Sequence, residues 1–231
     1  MDRTVLITGA TGELGRSAAS AFASEGARLI LGGTDGERLA MLADEIGLAE
    51  EQWTPLVADL TDEAATCSAI ADAERRSRTI DILLHLVGGF ASGTPVVELE
   101  RSDLQSMVDQ HLGTAFNIVR AVVPGMIERG WGRVVAISVP VTATTPPKTA
   151  PYAIGKAAME TLLRTLAREV AGSGVTVNLL QVKAIDLKGE RLADPKKSSS
   201  TTPDEIVATI RFLCSDDAAA INGAKIPLDG R

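Results

Sequence analysis

The short apolar run Val5-Leu6-Ile7 passes without a linker into Thr8-Gly9-Ala10-Thr11-Gly12-Glu13-Leu14-Gly15, and an alanine-rich stretch over 17–25 follows that favours a helix. Few folds accept this order. The glycines let the backbone reverse tightly at the end of a strand, and the opening turn of the helix leaves N–H groups without intrahelical partners. Such a turn is built to receive a negatively charged group, and the pyrophosphate of a dinucleotide fits it. The segment lacks the Gly-Lys-Ser/Thr ending of a triphosphate loop. Gly9, Thr11, Gly12, Glu13 and Leu14 are therefore the first candidate cofactor-binding residues.

The strand and helix signals then alternate along the chain. Strands are predicted over 28–31, 54–57, 82–87, 133–138, 176–181 and 225–228, with helices over 37–46, 64–75, 104–129, 152–171 and 203–213. Thr202 and Glu205 form a capping-box pattern at the start of the last helix. Strands apolar on both faces, each followed by a helix, predict an α/β fold: a doubly wound, mainly parallel sheet with helices on both sides, in a single domain over 1–231. Ligands bind such sheets at the carboxyl ends of the strands, near the point where strand order reverses. The polar or Pro/Gly-rich intervals 88–99, 140–151 and 183–202 are the places for specificity.

Composition narrows the partners. A net charge of -7 speaks against a nucleic-acid surface, which needs clustered positive charge, and the basic cluster at 75–78 reads as a solvated helix end. Two cysteines far apart and two histidines offer neither a disulfide framework nor a structural zinc site. The start of the chain is too short for a signal peptide before its first strand, and no apolar run can span a bilayer. A cytoplasmic protein with a small-molecule substrate is expected. With aromatics at 3%, its core must rest on Val, Ile, Leu and Ala.

After the second predicted strand, an acidic residue would hold the ribose of NAD, whereas a basic one would favour the phosphate of NADP. Gly33 and Thr34 stand there, with Asp35 one step later and Arg16 and Arg38 within reach of a phosphate. The cofactor is thus NADP or NAD, leaning to NADP. Tyr152, the single tyrosine, precedes Lys156 by four residues in a predicted helix, so both side chains share one face. An ammonium beside the phenol would favour its ionised form and make Tyr152 an acid/base candidate.

These pieces together resemble the short-chain dehydrogenase/reductase family over nearly the full chain. The resemblance rests on the glycine turn, Asp59-Leu60, Val87-Gly88-Gly89, the run from Gly132 to Ser138, Tyr152-Ala153-Ile154-Gly155-Lys156 and the ending Ile221 to Gly230. It implies Asp59 and Leu60 against the adenine, and Val87, Gly88 and Gly89 along the cofactor. Lys156 would hold the nicotinamide ribose while supporting Tyr152. It also implies a homodimer or homotetramer, with the helices over 104–129 and 152–171 as contact elements.

The departures define an atypical member with an incomplete catalytic set. Glu13 replaces a family glycine, and the spacing of Gly9, Gly12 and Gly15 resembles the extended branch of the family. Val139 stands where the catalytic serine belongs, His111 replaces the relay asparagine, His85-Leu86 replaces an asparagine pair, and Val182-Lys183 replaces Pro-Gly. Ser138, Thr142 or His111 would have to compensate, and Ser138 could do so only through a shift of register. The segment from Val87 to Gly93 also resembles the dihydropteridine reductase branch. A reductase of small carbonyl or conjugated substrates is the leading expectation, beside a pteridine-type reductase and a non-catalytic dinucleotide-binding regulator.

Overall fold

A computed structural model of the chain describes residues 3–77, 79–189 and 199–230. Seven strands, β1 (Thr4–Thr8), β2 (Arg28–Gly33), β3 (Trp53–Val57), β4 (Ile82–His85), β5 (Gly132–Ser138), β6 (Val175–Val182) and β7 (Lys225–Leu228), form one sheet in the order β3-β2-β1-β4-β5-β6-β7. Every pairing is parallel. The fold is the expected doubly wound α/β sheet, and its strand order reverses between β1 and β4.

The pleat sends alternate side chains into two cores. On one face Val5, Ile7 and Val135 pack against α1 (Glu13–Ser24), α2 (Gly36–Glu45) and α8 (Pro203–Cys214). On the other, Leu6, Val134 and Ala136 pack against α3 (Glu63–Ser77), α5 (Thr114–Glu128) and α7 (Ala150–Glu169). The capping box forms as predicted: Glu205 N–H donates to Thr202 Oγ1 at 3.3 Å, and Thr202 N–H donates to the Glu205 carboxylate at 3.1 Å.

Three differences from the sequence expectation bear on the site. Helix α1 starts at Glu13 rather than 17, because Gly12 already serves as its N-cap. The helix expected over 104–129 begins earlier, as α4 (Arg101–Val108), and passes through a π-helical turn over Asp109–Gly113 before α5. The interval after β5 holds a one-turn helix, α6 (Val141–Thr144), followed by left-handed backbone at Thr145 and Lys148. Arg78 of the basic cluster and part of the interval 183–202 lie outside the described residues. Among the described residues no helix is long and apolar enough to cross a membrane.

Candidate active site

Two grooves open along the carboxyl edge of the sheet and meet at Leu86, Val87 and Gly88. The first, of about 360 Å³, crosses the ends of β1, β2 and β3 and is lined by Gly9, Thr11, Gly12, Gly33, Thr34, Asp59 and Leu60. Its floor is fixed by backbone contact. Gly9 has φ +70°, and a Cβ there would come within 3.2 Å of the Leu86 and Val87 backbone; a Cβ on Gly15 would lie 2.4 Å from the Gly9 carbonyl oxygen. Gly12 caps α1 with no side-chain oxygen occupying the first N–H groups, which leaves them available to a phosphate. The cradle therefore fits a dinucleotide.

Other residues of this groove sort clearly. Asp35 is engaged as the N-cap of α2, accepting from Glu37 N–H at 3.0 Å and Arg38 N–H at 3.2 Å, so its carboxylate already has backbone partners. Arg16 pairs with Glu45 and donates to the Thr11 carbonyl at 3.3 Å, whereas Arg38 is exposed in the first turn of α2. Asp59 accepts from Thr61 N–H at 2.9 Å and Thr61 Oγ1 at 2.7 Å, and these bonds hold its carboxyl below the usual range. Glu13 is exposed at the start of α1 and lines neither groove. Gln110 and Thr114 line this groove without having been singled out by sequence.

The second groove, of about 410 Å³, brings Leu14, Gly88, Gly89, Val139, Tyr152, Lys156 and Lys183 together. Tyr152 is half-buried, its ring edge-on to Phe90 at 5.1 Å and to His111 at 5.5 Å. Burial raises its phenol above the ordinary value, keeping it protonated at neutral pH. Lys156 is only 4% exposed, and its ammonium donates to the Ile137 carbonyl at 2.9 Å, not to Tyr152. Burial draws Lys156 down to about 8, while Glu160, one turn further along α7, opposes that fall. The expected depression of the phenol by the ammonium gives way to desolvation here.

The two histidines differ in kind. His85 sits in β4 with Nδ1 3.0 Å from Thr8 Oγ1 and Nε2 3.4 Å from Thr114 Oγ1; burial and the nearby Lys156 pull it to about 3. It is a neutral structural side chain. His111 lies on the π turn, completely buried, and neither ring nitrogen meets a partner with hydrogen-bond geometry. Burial and Lys156 draw it to about 4 against the influence of the Gly89 backbone, so it too is neutral near pH 7. A Cβ added to Gly88 would lie 3.5 Å from both the Lys156 ammonium and the His111 ring, which marks a small space between them.

Ser138 is not brought into this groove. Its hydroxyl is buried and donates to Glu160, on the sheet face shared by Val134 and Ala136, while Ile137 and Val139 line the groove. The alternation of the strand is the reason: adjacent residues of β5 face opposite ways, and no register shift intervenes. Thr142 is likewise turned to Glu160, at 3.0 Å, and to the Val139 carbonyl, at 3.2 Å. Neither residue lines the groove.

A dinucleotide cradle that runs into a tyrosine and a buried lysine at the switch point of a parallel sheet defines a nicotinamide-dependent oxidoreductase. The chain belongs to the short-chain dehydrogenase family, whose pattern matches residues 3–194. The oxidoreductase UcpA of Salmonella typhimurium is 32% identical, over 99% of this chain and 93% of the relative. The 3-oxoacyl-[acyl-carrier-protein] reductase FabG of Thermotoga maritima is 27% identical, over 99% and 96%. Among solved structures, a 3-oxoacyl-[acyl-carrier protein] reductase with bound NAD from Brucella melitensis superposes with a TM-score of 0.86 at 26% identity, covering 98% of this chain and 89% of that one. The protein is an NAD(P)-dependent oxidoreductase of small carbonyl or alcohol compounds.

Proposed function

We propose that the chain reduces a small carbonyl or conjugated substrate at the second groove, with Tyr152 as proton donor and Lys156 as its electrostatic support and the ligand of the nicotinamide ribose. The observation that carries this reading is the placement of Tyr152 and Lys156 beside Gly88 and Gly89 in one groove continuous with the glycine cradle. When bound, the reduced nicotinamide supplies the hydride. A phenol kept protonated by burial is ready to donate at neutral pH. The Lys156 ammonium favours the phenolate left after transfer. Gly9, Thr11 and Gly12 take the pyrophosphate, Asp59 and Leu60 flank the adenine, and Gly33 and Thr34 meet the adenosine ribose, with NADP preferred because Asp35 is engaged elsewhere.

The catalytic set is incomplete at the carbonyl. Val139 offers no donor, and His111 stands in the place of a relay residue, buried edge-on to the Tyr152 ring. This arrangement favours an acceptor that needs little polarisation, and it also supports the second reading, a cofactor-binding protein without turnover. The assembly is read as a homodimer or homotetramer. Tyr152→Phe retains the ring and deletes the hydroxyl, so single-turnover hydride transfer should fall by about 10²-fold or more with cofactor affinity little changed. Transfer at the wild-type rate would remove Tyr152 from the mechanism, and absence of transfer to any acceptor in a broad carbonyl panel would favour the non-catalytic reading.

A further inference from the structure

The buried polar cluster behind the second groove has no part in the chemistry described so far. Glu160, 7% exposed, lies on α7 one turn beyond Lys156. Its carboxylate accepts from Ser138 of β5, from Thr142 of α6 at 3.0 Å and from the Lys225 ammonium of β7 at 3.1 Å; Lys225 also reaches Thr142 Oγ1 at 3.4 Å. Three separate elements are thus tied to one turn of the helix that presents Tyr152 and Lys156. A buried carboxylate with three donors is far more than surface decoration, because burying it without them would cost several kcal/mol.

We propose that Glu160 is a positioning residue that holds Lys156 in its charged form and fixes the end of β5 against α7. Residues four apart on a helix are neighbours, and the charge of Glu160 acts on Lys156 through a protein interior where screening is weak. The inference rests on the proposed role of Lys156 at the cofactor. Among the described residues, the groups facing this pair are few. Lys156 is approached by Tyr152 of its own helix, by His111 from the π turn and by His85 from β4, with Lys183 in the same groove; Glu160 is approached by Lys225. Both imidazoles are neutral from about pH 5 upward, given values of about 4 and about 3, and the phenol is protonated. Lys156, drawn down by burial to about 8, titrates in the mildly alkaline range.

The sign follows. Lys156 binds a ribose hydroxyl as an ammonium, so affinity for the reduced cofactor is full below its pKa and declines as pH rises through it. Removing the carboxylate lowers that midpoint. The Lys225 cation partly offsets the field of Glu160, so removing it raises the midpoint.

NADPH affinity, read by nucleotide fluorescence over roughly pH 6 to 10, tests this across the Lys156 titration. Glu160→Gln should move the alkaline midpoint down by about one unit, Glu160→Asp should restore most of it, and Lys225→Met should move it up by about half a unit. Lys156→Met should abolish the alkaline decline. A merely structural cluster would weaken binding in Glu160→Gln and Lys225→Met alike at every pH, and coincident midpoints in those two variants would overturn the inference. Should Glu160→Gln fail to fold, the upward shift in Lys225→Met decides the matter alone. If the decline persists unchanged in Lys156→Met, the proposed role of Lys156 falls, and this inference with it; if it vanishes there while the Glu160 and Lys225 variants match wild type, only the role of Glu160 falls.

Discussion

The two grooves that meet at Val87 are made of different materials. The one over β1, β2 and β3 has a floor of backbone: a left-handed Gly9, a helix start at Gly12 with no side-chain cap, and a Gly15 whose missing side chain lets α1 sit against the turn. The one over β4, β5 and β6 is built from side chains, namely Tyr152, Lys156, Val139 and Lys183, with His111 edge-on to Tyr152. A site made of backbone amides survives only while the glycines do, whereas a site made of side chains can be re-equipped one residue at a time without disturbing the fold. Val139, Val182 and Lys183 line the second groove, His111 stands edge-on to its Tyr152, and Glu13 is exposed outside both grooves.

The sharpest way to break the comparison is at Gly15. A Cβ there meets two backbone carbonyl oxygens, at 2.4 Å from Gly9 and 2.6 Å from Ala10, with no flexible side chain that could yield. Gly15→Val should force α1 off the turn at a cost of about 1–3 kcal/mol or more, and cofactor affinity should fall by about 10²-fold together with a lowered Tm. Dinucleotide titration and thermal denaturation measure both. Wild-type affinity in this variant would mean that the turn is not the phosphate site.

At the other groove the expected change is a gain. Val139 lines the same groove as Tyr152, so Val139→Ser adds a hydroxyl donor to that groove with a side chain smaller than the one it replaces. Hydride transfer to a neutral ketone should rise by about tenfold, less than a preorganised oxyanion donor contributes in a site evolved around it. Single-turnover rates in Val139→Ser and in the Tyr152→Phe background separate the causes: the gain should need the phenol. An unchanged rate would mean that the natural acceptor is activated by something other than a donor at this position.

The sheet could be read from sequence because its strands are apolar on both faces and each is followed by an amphipathic stretch. The glycine turn and the Tyr152–Lys156 pair could be read because their spacing is a consequence of local backbone geometry. The π turn over Asp109–Gly113 could not, since residues such as Gln110 and His111 look like ordinary helix and the change lies in backbone hydrogen bonding. Nor could the fate of Ser138 be read with assurance. The carboxylate that claims Ser138 lies 22 residues away, on α7. Long-range polar pairing of that sort leaves no periodic trace.

The smallest expected effect concerns the cofactor subtype, and it sharpens the claim that the first groove is a backbone site. Gly33 ends β2 and lines the groove, and the nearest atoms to a Cβ there belong to the Leu39 side chain, at 3.4 Å, with no left-handed backbone to strain. Gly33→Asp should therefore fold. The new carboxylate can accept from a ribose hydroxyl and repels a 2′-phosphate, but it stands at an open groove edge where water screens much of the repulsion. The shift towards NADH should be modest, about tenfold in the ratio of NADH to NADPH affinity, or about 1.4 kcal/mol. It should shrink as salt is raised, because the component against the phosphate is Coulombic. Competition titrations with the two cofactors at low and high ionic strength measure the ratio and its salt dependence together. A ratio that stays at the wild-type value would place the adenosine ribose away from Gly33, and a tenfold shift insensitive to salt would assign the effect to the ribose hydrogen bond alone.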